Sequence, residues 1–261
     1  MIETKERIQL PMMALRGLTV FPNMAISFPV GRQKSLDALE AADEGDKRIF
    51  LVAQRDPEDA SPEQMGLYEF GTVATIKQIL KLPGNMTHVI VEGVIRGRLA
   101  TIQHKRKCEY AEITTIAQDF PELPEVHTAA EMRIAQDLYE EYAKFVPNTT
   151  AVDLLPNVLA AGKPGKLADV IAAGLEISFD RKQKILEILN PYDRLQAVMD
   201  IMRYEQQVLR VKREIEAKTK DAIDKNQREY FLREELKVIQ EELGDKDGIG
   251  ADAAEFRRRL E

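Results

Sequence analysis

The sequence holds one cysteine, Cys108, in 261 residues. No internal disulfide can staple it, and such cysteine usage suits a reducing compartment. Cys108 itself reads as an inert thiol in a strand. There are three histidines, His88, His104 and His127, and neither their spacing nor their distance from Cys108 follows a metal-ligand pattern. Serine is scarce as well, at positions 27, 35, 61 and 178. Ser178 stands four residues before Lys182, a spacing at which a helix could set a lysine base beside a serine nucleophile. ISFDRKQKILEIL reads better as an N-cap serine opening an amphipathic helix. No apolar run approaches the roughly 18 to 20 residues that span a bilayer, and the opening MIETKERIQLP lacks an apolar signal core, so the chain reads as cytoplasmic. Excess basic charge is missing too. Charged residues make up 31% and the net charge is -7, the opposite of a dedicated nucleic-acid binder.

What the sequence does have is a change of character part-way along. From residue 8 to about 117 it is punctuated by Gly and Pro and rich in Val, Ile, Thr, Phe and Tyr, which is strand-and-turn chemistry. Expected strands are AISFPV, RIFLVAQ, GTVATIKQI, HVIVEG, GRLATIQ and YAEITTI. LPGNMT reads as a hairpin connection, with Gly84 and Asn85 tolerating positive φ. One helix interrupts this region near Lys34 to Ala42, begun by Ser35 or Gln33.

From about 126 to 189 helical patterns take over. AEMRIAQDLYEEYAKF places Met132, Ala135, Leu138, Tyr139 and Tyr142 on one face. Pro156 divides AVDLLPNVLAAG into two short turns or a kinked helix. Pro164 and Pro191 suit first-turn positions, the latter after Asn190 as N-cap. The expected organisation is a β-rich domain over 1–118, a helical bundle over 119–190, a long helix over 191–243 and a linker over 244–261.

Between Pro191 and Leu243 neither Pro nor Gly occurs. A continuous helix of that length extends roughly 80 Å at about 1.5 Å per residue, so it is expected to project. Leu195, Val198, Met199, Met202 and Leu209 supply its root with apolar surface. Its middle is charged, with acidic residues four positions before basic ones: Glu214 and Lys218, Glu216 and Lys220, Asp221 and Lys225, Asp224 and Arg228, Glu229 and Arg233. Each such pair contributes about 0.2–0.5 kcal/mol in an isolated helix. An apolar row then returns at Phe231, Leu232, Leu236, Ile239 and Leu243, the candidate assembly contact, with Gly244 as C-terminal cap.

Motifs that carry chemistry are sparse. AAGKPGKL falls short of a phosphate-binding loop: Gly162 and Gly165 are three apart, and Leu167 follows Lys166 where Ser or Thr would hold magnesium. HKRKCEY, with Arg96 and Arg98 nearby, is the one concentrated basic patch. It reads either as a nucleic-acid contact through Arg96, Arg98, Lys105, Arg106 and Lys107 or as an edge guarded by lysines. Apolar residues stand where turns are expected: Val20, Phe21, Pro22 and Met24, then Leu80, Leu82, Pro83 and Met86. Such groups either tuck into the core or form an adaptable, Met-rich surface for peptides. On the second reading Phe21, Pro22, Met24, Leu80, Leu82 and Met86 are candidate contacts for unfolded protein.

Three segments, in order, resemble one family. The first is LPMMALRGLTVFPNMAISFPVGRQKSLDALEAA, with the pair Leu15 and Arg16 and the turn Val30, Gly31, Arg32. IFLVAQRDPE, LYEFGTVATIKQILKLPGN and VIVEGVIRGR form the second. The third is QREYFLREELK with IQEELG close behind. Together they are similar to the amino-terminal region of bacterial Lon, the ATP-dependent protease. The resemblance implies an α+β fold: a β-rich, pseudouridine-synthase-associated (PUA-like) domain, a helical bundle and one long projecting helix. It further implies, for a whole protein, an AAA+ ATPase using ATP and magnesium, a serine peptidase with a Ser-Lys dyad, and a homohexamer that degrades unfolded, damaged and short-lived regulatory proteins. No residue of this chain matches a Walker motif or the dyad, so no catalytic, cofactor-binding or metal residue carries over. A free-standing PUA-like nucleic-acid binder and a scaffold using only the long helix are the competing expectations.

Overall fold

The structure, a computed structural model, describes residues 4–82, 86–105, 108–116, 120, 124–146, 149–242 and 258–259, with the side chains at 4–6, 82, 86, 149 and 242 outside the description. Six strands come first: β1 (Thr4–Leu15), β2 (Ala25–Val30), β3 (Arg48–Ala53), β4 (Phe70–Leu82), β5 (Met86–Lys105) and β6 (Cys108–Ile116). Helix α1 (Gln33–Glu44) lies between β2 and β3. The order is β2-β5-β4-β3-β1-β6, and β6 also pairs with β5. Strands β5, β4, β3, β1 and β6 thus close a ring of pairings, to which β2 is added. All pairs are antiparallel except β1 with β3.

Two apolar clusters fill this domain, and β3 belongs to both. Ile49 and Leu51 pack with Met13, Leu15, Val89 and Val91 under the buried face of α1, Ala38, Leu39 and Ala42. Phe50 and Val52 pack with Leu10, Met12, Val73, Leu99 and Ile113. A strand buried on both faces reads as a continuous apolar run, which is why IFLVA carries no alternation. Each such side chain contributes about 1.5–3 kcal/mol when fully buried.

The expected strands HVIVEG and GRLATIQ are one strand, β5, in which Gly93 and Gly97 both lie. Both are points of close approach. Gly97 stands opposite Gly71 of β4, and Phe50 fills the space that side chains at either position would occupy. The second difference is β1, which is not among the expected strands and contains Pro11. Pro11 pairs with Tyr110 of β6, and pairing with β3 starts at Met12. The proline therefore sits where the strand changes neighbours, and a missing N–H there breaks no bond to β3.

Among the described residues six more helices follow: α2 (Glu125–Phe145), α3 (Thr149–Asp153), α4 (Leu155–Leu159), α5 (Pro164–Gly174), α6 (Phe179–Glu187) and α7 (Pro191–Glu242). Ala135, Tyr139 and Tyr142 of α2 are buried, as the helical period requires. Tyr139 donates to Ala151 O at 3.0 Å, and the Tyr142 hydroxyl accepts from Glu176 N at 2.9 Å. Burial raises the pKa of both phenols. Asn190 caps α7 by accepting from Tyr192 N at 2.9 Å.

The chain divides into two compact units, residues 1–206 and 207–261. Within the first, the opening turns of α7 bury Leu195, Val198, Met199 and Met202. Within the second, every described side chain from Arg210 to Glu241 is exposed. Lys212 and Glu216 meet there at 3.8 Å, as do Glu229 and Arg233 at 4.0 Å. Gly84, Asn85, Leu243 and Gly244 lie outside the described residues.

Candidate functional site

The loop after β1 folds inward, contrary to an exposed role for its apolar residues. Gly17 and Asn23 adopt φ of 60°, which turns the chain back over β4 and β5. Val20 O accepts from Thr72 Oγ1 at 2.6 Å, Asn23 N donates to Gly93 O at 2.8 Å, and Gly93 N donates to Met24 O at 2.9 Å. A side chain at Gly93 would meet the Phe21 carbonyl and Pro22. Phe21 has no exposed surface, and Pro22 is also buried. Neither can touch a partner from the folded state, so both are corrected from contact to core. Met24 is half-buried, and Leu80 on β4 is 38% exposed. The side chains of Leu82 and Met86 lie outside the described residues. The six candidates therefore do not form one patch.

The basic patch also disperses. Arg96, expected at a nucleic-acid surface, is 1% exposed. Its Nη1 and Nη2 donate to Asp169 Oδ2 and Oδ1 of α5 at 2.9 and 2.5 Å, and its Nε donates to Leu186 O at the end of α6 at 2.9 Å. Arg98 pairs with Glu69. Lys105 bonds Gln9 and sits 5.2 Å from the Tyr110 ring. Arg106 and Lys107 lie outside the described residues.

Asp169 holds a second arginine. Arg194 Nε from the first turn of α7 lies 3.0 Å from Asp169 Oδ1, while Nη1 donates to Ile188 O at 2.6 Å. Both Asp169 and Arg194 have no exposed surface. One carboxylate thus serves two guanidiniums, and Arg194 Nη2 is buried without a hydrogen-bond partner among the described residues. Burial, then the like charge of Arg96, pushes the Arg194 pKa down to about 10, with Asp169 opposing; it remains a cation at neutral pH. Gln183 of α6 adds a bond to Phe70 O at 2.8 Å, and Thr19 donates to Phe179 O at 3.2 Å. These contacts lock the β-ring to α5, α6 and the root of α7. The sequence reading missed Asp169 and Arg194. A lone charge in the otherwise apolar LADVIAAG was the available sign, since such a group needs a buried partner.

A second polar brace explains the resembling residues near the start. Arg32 donates to Gln54 Oε1 at 3.1 Å and to Ala14 O. Gln54, itself buried, donates to Asp56 O at 2.7 Å and Asp59 O at 3.0 Å, and Arg16 also reaches Asp59 O at 3.2 Å. Burial and then the like charge of Arg16 lower the Arg32 pKa. Beside this brace lies a groove of about 440 Å³ walled by Leu15, Leu18, Phe28 and Val30 together with Arg16 and Arg32.

Ser178 and Lys182 do not form a dyad. Ser178 occupies the N-cap position of α6, extended and with no side-chain cap bond, whereas Lys182 Nζ donates to Ala173 O at 3.0 Å. Among the described residues no group of three or more His, Cys, Asp or Glu could hold a metal ion. The turn at 162–166 opens α5 through Pro164 and offers no hydroxyl after Lys166, so it does not fit magnesium or nucleotide phosphate. No described helix is long and apolar enough to cross a membrane.

A closed β-ring is thus braced to a helical module through buried polar contacts. The chain belongs to the family described as the ATP-dependent protease La (LON) substrate-binding domain, whose profile matches residues 9–204. It is 39% identical over 258 residues to the Lon protease of Clostridium acetobutylicum, covering 98% of this chain and 33% of that protein. With the Lon protease of Escherichia coli K12 the identity is 35% over 264 residues, covering 99% and 33%. The chain therefore spans about a third of the length of these relatives. Two solved structures share the fold. The N terminal domain of Mycobacterium avium complex Lon protease superposes with a TM-score of 0.56 at 19% identity, over 75% of this chain and 98% of that one. The Lon N-terminal domain protein from Xanthomonas campestris gives 0.53 at 15%, over 74% and 98%.

Proposed function

We propose that this chain is the substrate-recognising and assembly region of a cytoplasmic, ATP-dependent serine protease that degrades unfolded, damaged and short-lived regulatory proteins. The observation that carries this reading is a coincidence of boundaries. The family profile covers 9–204, and the compact unit of β-ring and braced helices covers 1–206. ATP hydrolysis with magnesium and peptide cleavage at a Ser-Lys dyad belong to other parts of such a protein, and no step of either is assigned to residues here. The β-rich region, up to about residue 118, meets substrate. The helices over 119–190 carry it, and α7 serves assembly as a homohexamer through Phe231, Leu232, Leu236 and Ile239, all exposed. Leu243, the last of that row, lies outside the described residues. Leu80 and Met24 remain as apolar substrate contacts.

The test is selective binding. A fluorescently labelled protein is offered to the chain in its native form and in a permanently unfolded, reduced and carboxymethylated form. The unfolded form binds and the native form does not; equal binding of both, or of neither, refutes the reading.

A further inference from the structure

We infer that the free edge of β2 takes up extended polypeptide by strand addition, an inference that rests on the reading above and gives it a place and a mode. Among the described strands β2 alone has a single hydrogen-bonded neighbour, β5. The register Ala25↔Glu92 continues back to Met24 opposite Gly93, where Gly93 N donates to Met24 O. Antiparallel alternation then turns the backbone of Ile26, Phe28 and Val30 toward β5, and that of Ala25, Ser27 and Pro29 outward. Pro29 agrees with this assignment, because a residue without N–H breaks no ladder bond in the outward set. The edge therefore offers two N–H groups and three carbonyls to an incoming strand.

The groove of about 440 Å³ lies along this strand, walled by Phe28 and Val30 with Leu15 and Leu18. Side chains of a strand alternate between faces with period two. A segment laid on the edge in the same pleat sends every second side chain to the groove side, where apolar walls accept it. Arg16 and Arg32 belong to the same walls and favour a carboxylate two positions from the apolar residue, on the same face of the added segment.

The edge also defines its occupant. Six residues with two outward donors bury far less than the roughly 1,200 Å² at the lower end of stable interfaces, so a second copy of this chain is not the partner. A native globular protein already pairs its own backbone groups, whereas an unfolded segment presents them. Strand addition at β2 selects unfolded chains by that property, and the contact is brief because it is short. Pro29 keeps the ladder from running on.

The probe is reduced and carboxymethylated lactalbumin, added to the whole chain. Ser27→Pro removes one outward N–H and no bond to β5. It is expected to weaken probe binding roughly two- to tenfold, the loss of about one hydrogen bond, with circular dichroism and melting unchanged. On the unaltered chain, amide exchange at Ala25 and Ser27 slows when the probe is added, while Ile26, Phe28 and Val30 change little. That measurement decides the matter where Ser27→Pro fails to fold. If the probe binds but exchange at Ala25 and Ser27 is unaltered, the β2 edge is not the site, and the proposed function stands with another surface. If the unfolded probe does not bind at all, both fall together.

Discussion

Helix α7 contains two regions that solve the same problem in opposite ways. Its first turns bury Leu195, Val198, Met199 and Met202 against the rest of the first unit and fix Arg194 to Asp169. Its later turns, from Arg210 onward, bury nothing among the described residues, and they rest on helix propensity and on pairs such as Glu229 with Arg233. In the root, helicity follows from packing; further along, it comes from the chain itself. Leu232, Leu236 and Ile239 stand 51%, 57% and 46% exposed, so apolar residues in the second region do not stabilise this chain and are available to another surface. One helical sequence thus carries a part that would melt without its neighbours and a part indifferent to them.

Six substitutions test that contrast, the pairs and singles taken in descending order of effect. Asp169→Ala strands two buried guanidiniums and is expected to destabilise the first unit by about 3–5 kcal/mol, read as an early urea transition. An unchanged midpoint would mean that the shared carboxylate is not what holds the root. Leu195→Ala removes buried apolar volume at about 2–5 kcal/mol; Leu236→Ala, its counterpart in the exposed row, shifts the same transition by less than about 0.5 kcal/mol. Equal costs for these two leucines in chemical denaturation would erase the distinction between the regions. Gly93→Ala forces the Phe21 carbonyl and Pro22 away from β5 and is expected to cost about 1–3 kcal/mol, with the change visible in thermal melting. Glu229→Ala has the smallest effect, about 0.2–0.5 kcal/mol of local helix stability, seen as faster amide exchange near Arg233 alone. On the proposed function, Leu236→Asp placed in a full-length protease is expected to lower homohexamer formation, measured by light scattering, while leaving the fold of the β-ring untouched.

Much of this architecture was legible from sequence because periodicity and punctuation are local. The faces of α2 and α7, the first-turn prolines at 164 and 191 and the strands β2, β3, β4 and β6 all follow from spacing. What escaped depends on partners far along the chain. Strand β1 was not among the expected strands, since the change of neighbours at Met12 cannot be seen in β1 itself. Phe21 and Pro22 were open to either a core or a surface role, because the room they occupy is left by Gly93, about 70 residues away. Arg96 looked like part of a basic surface, when its carboxylate lies on α5. The unpaired edge of β2 was invisible for the same reason: a strand declares its alternation, never its count of neighbours.

The carboxylate of Asp169 can also be viewed as a joint under tension. Arg96 belongs to β5, the strand to which β2 is laddered, and Arg194 belongs to the first turn of α7. On the proposed strand addition, a pull on a chain held at β2 would pass through the ladder to β5 and, among other contacts, reach α7 through Asp169. Parting those elements means exposing or orphaning three charges at once, a cost of several kcal/mol. The β-ring and the root of the helix are then expected to yield to load together, and on the proposed strand addition a gripped polypeptide would tug on α7 as well as on the strand that holds it.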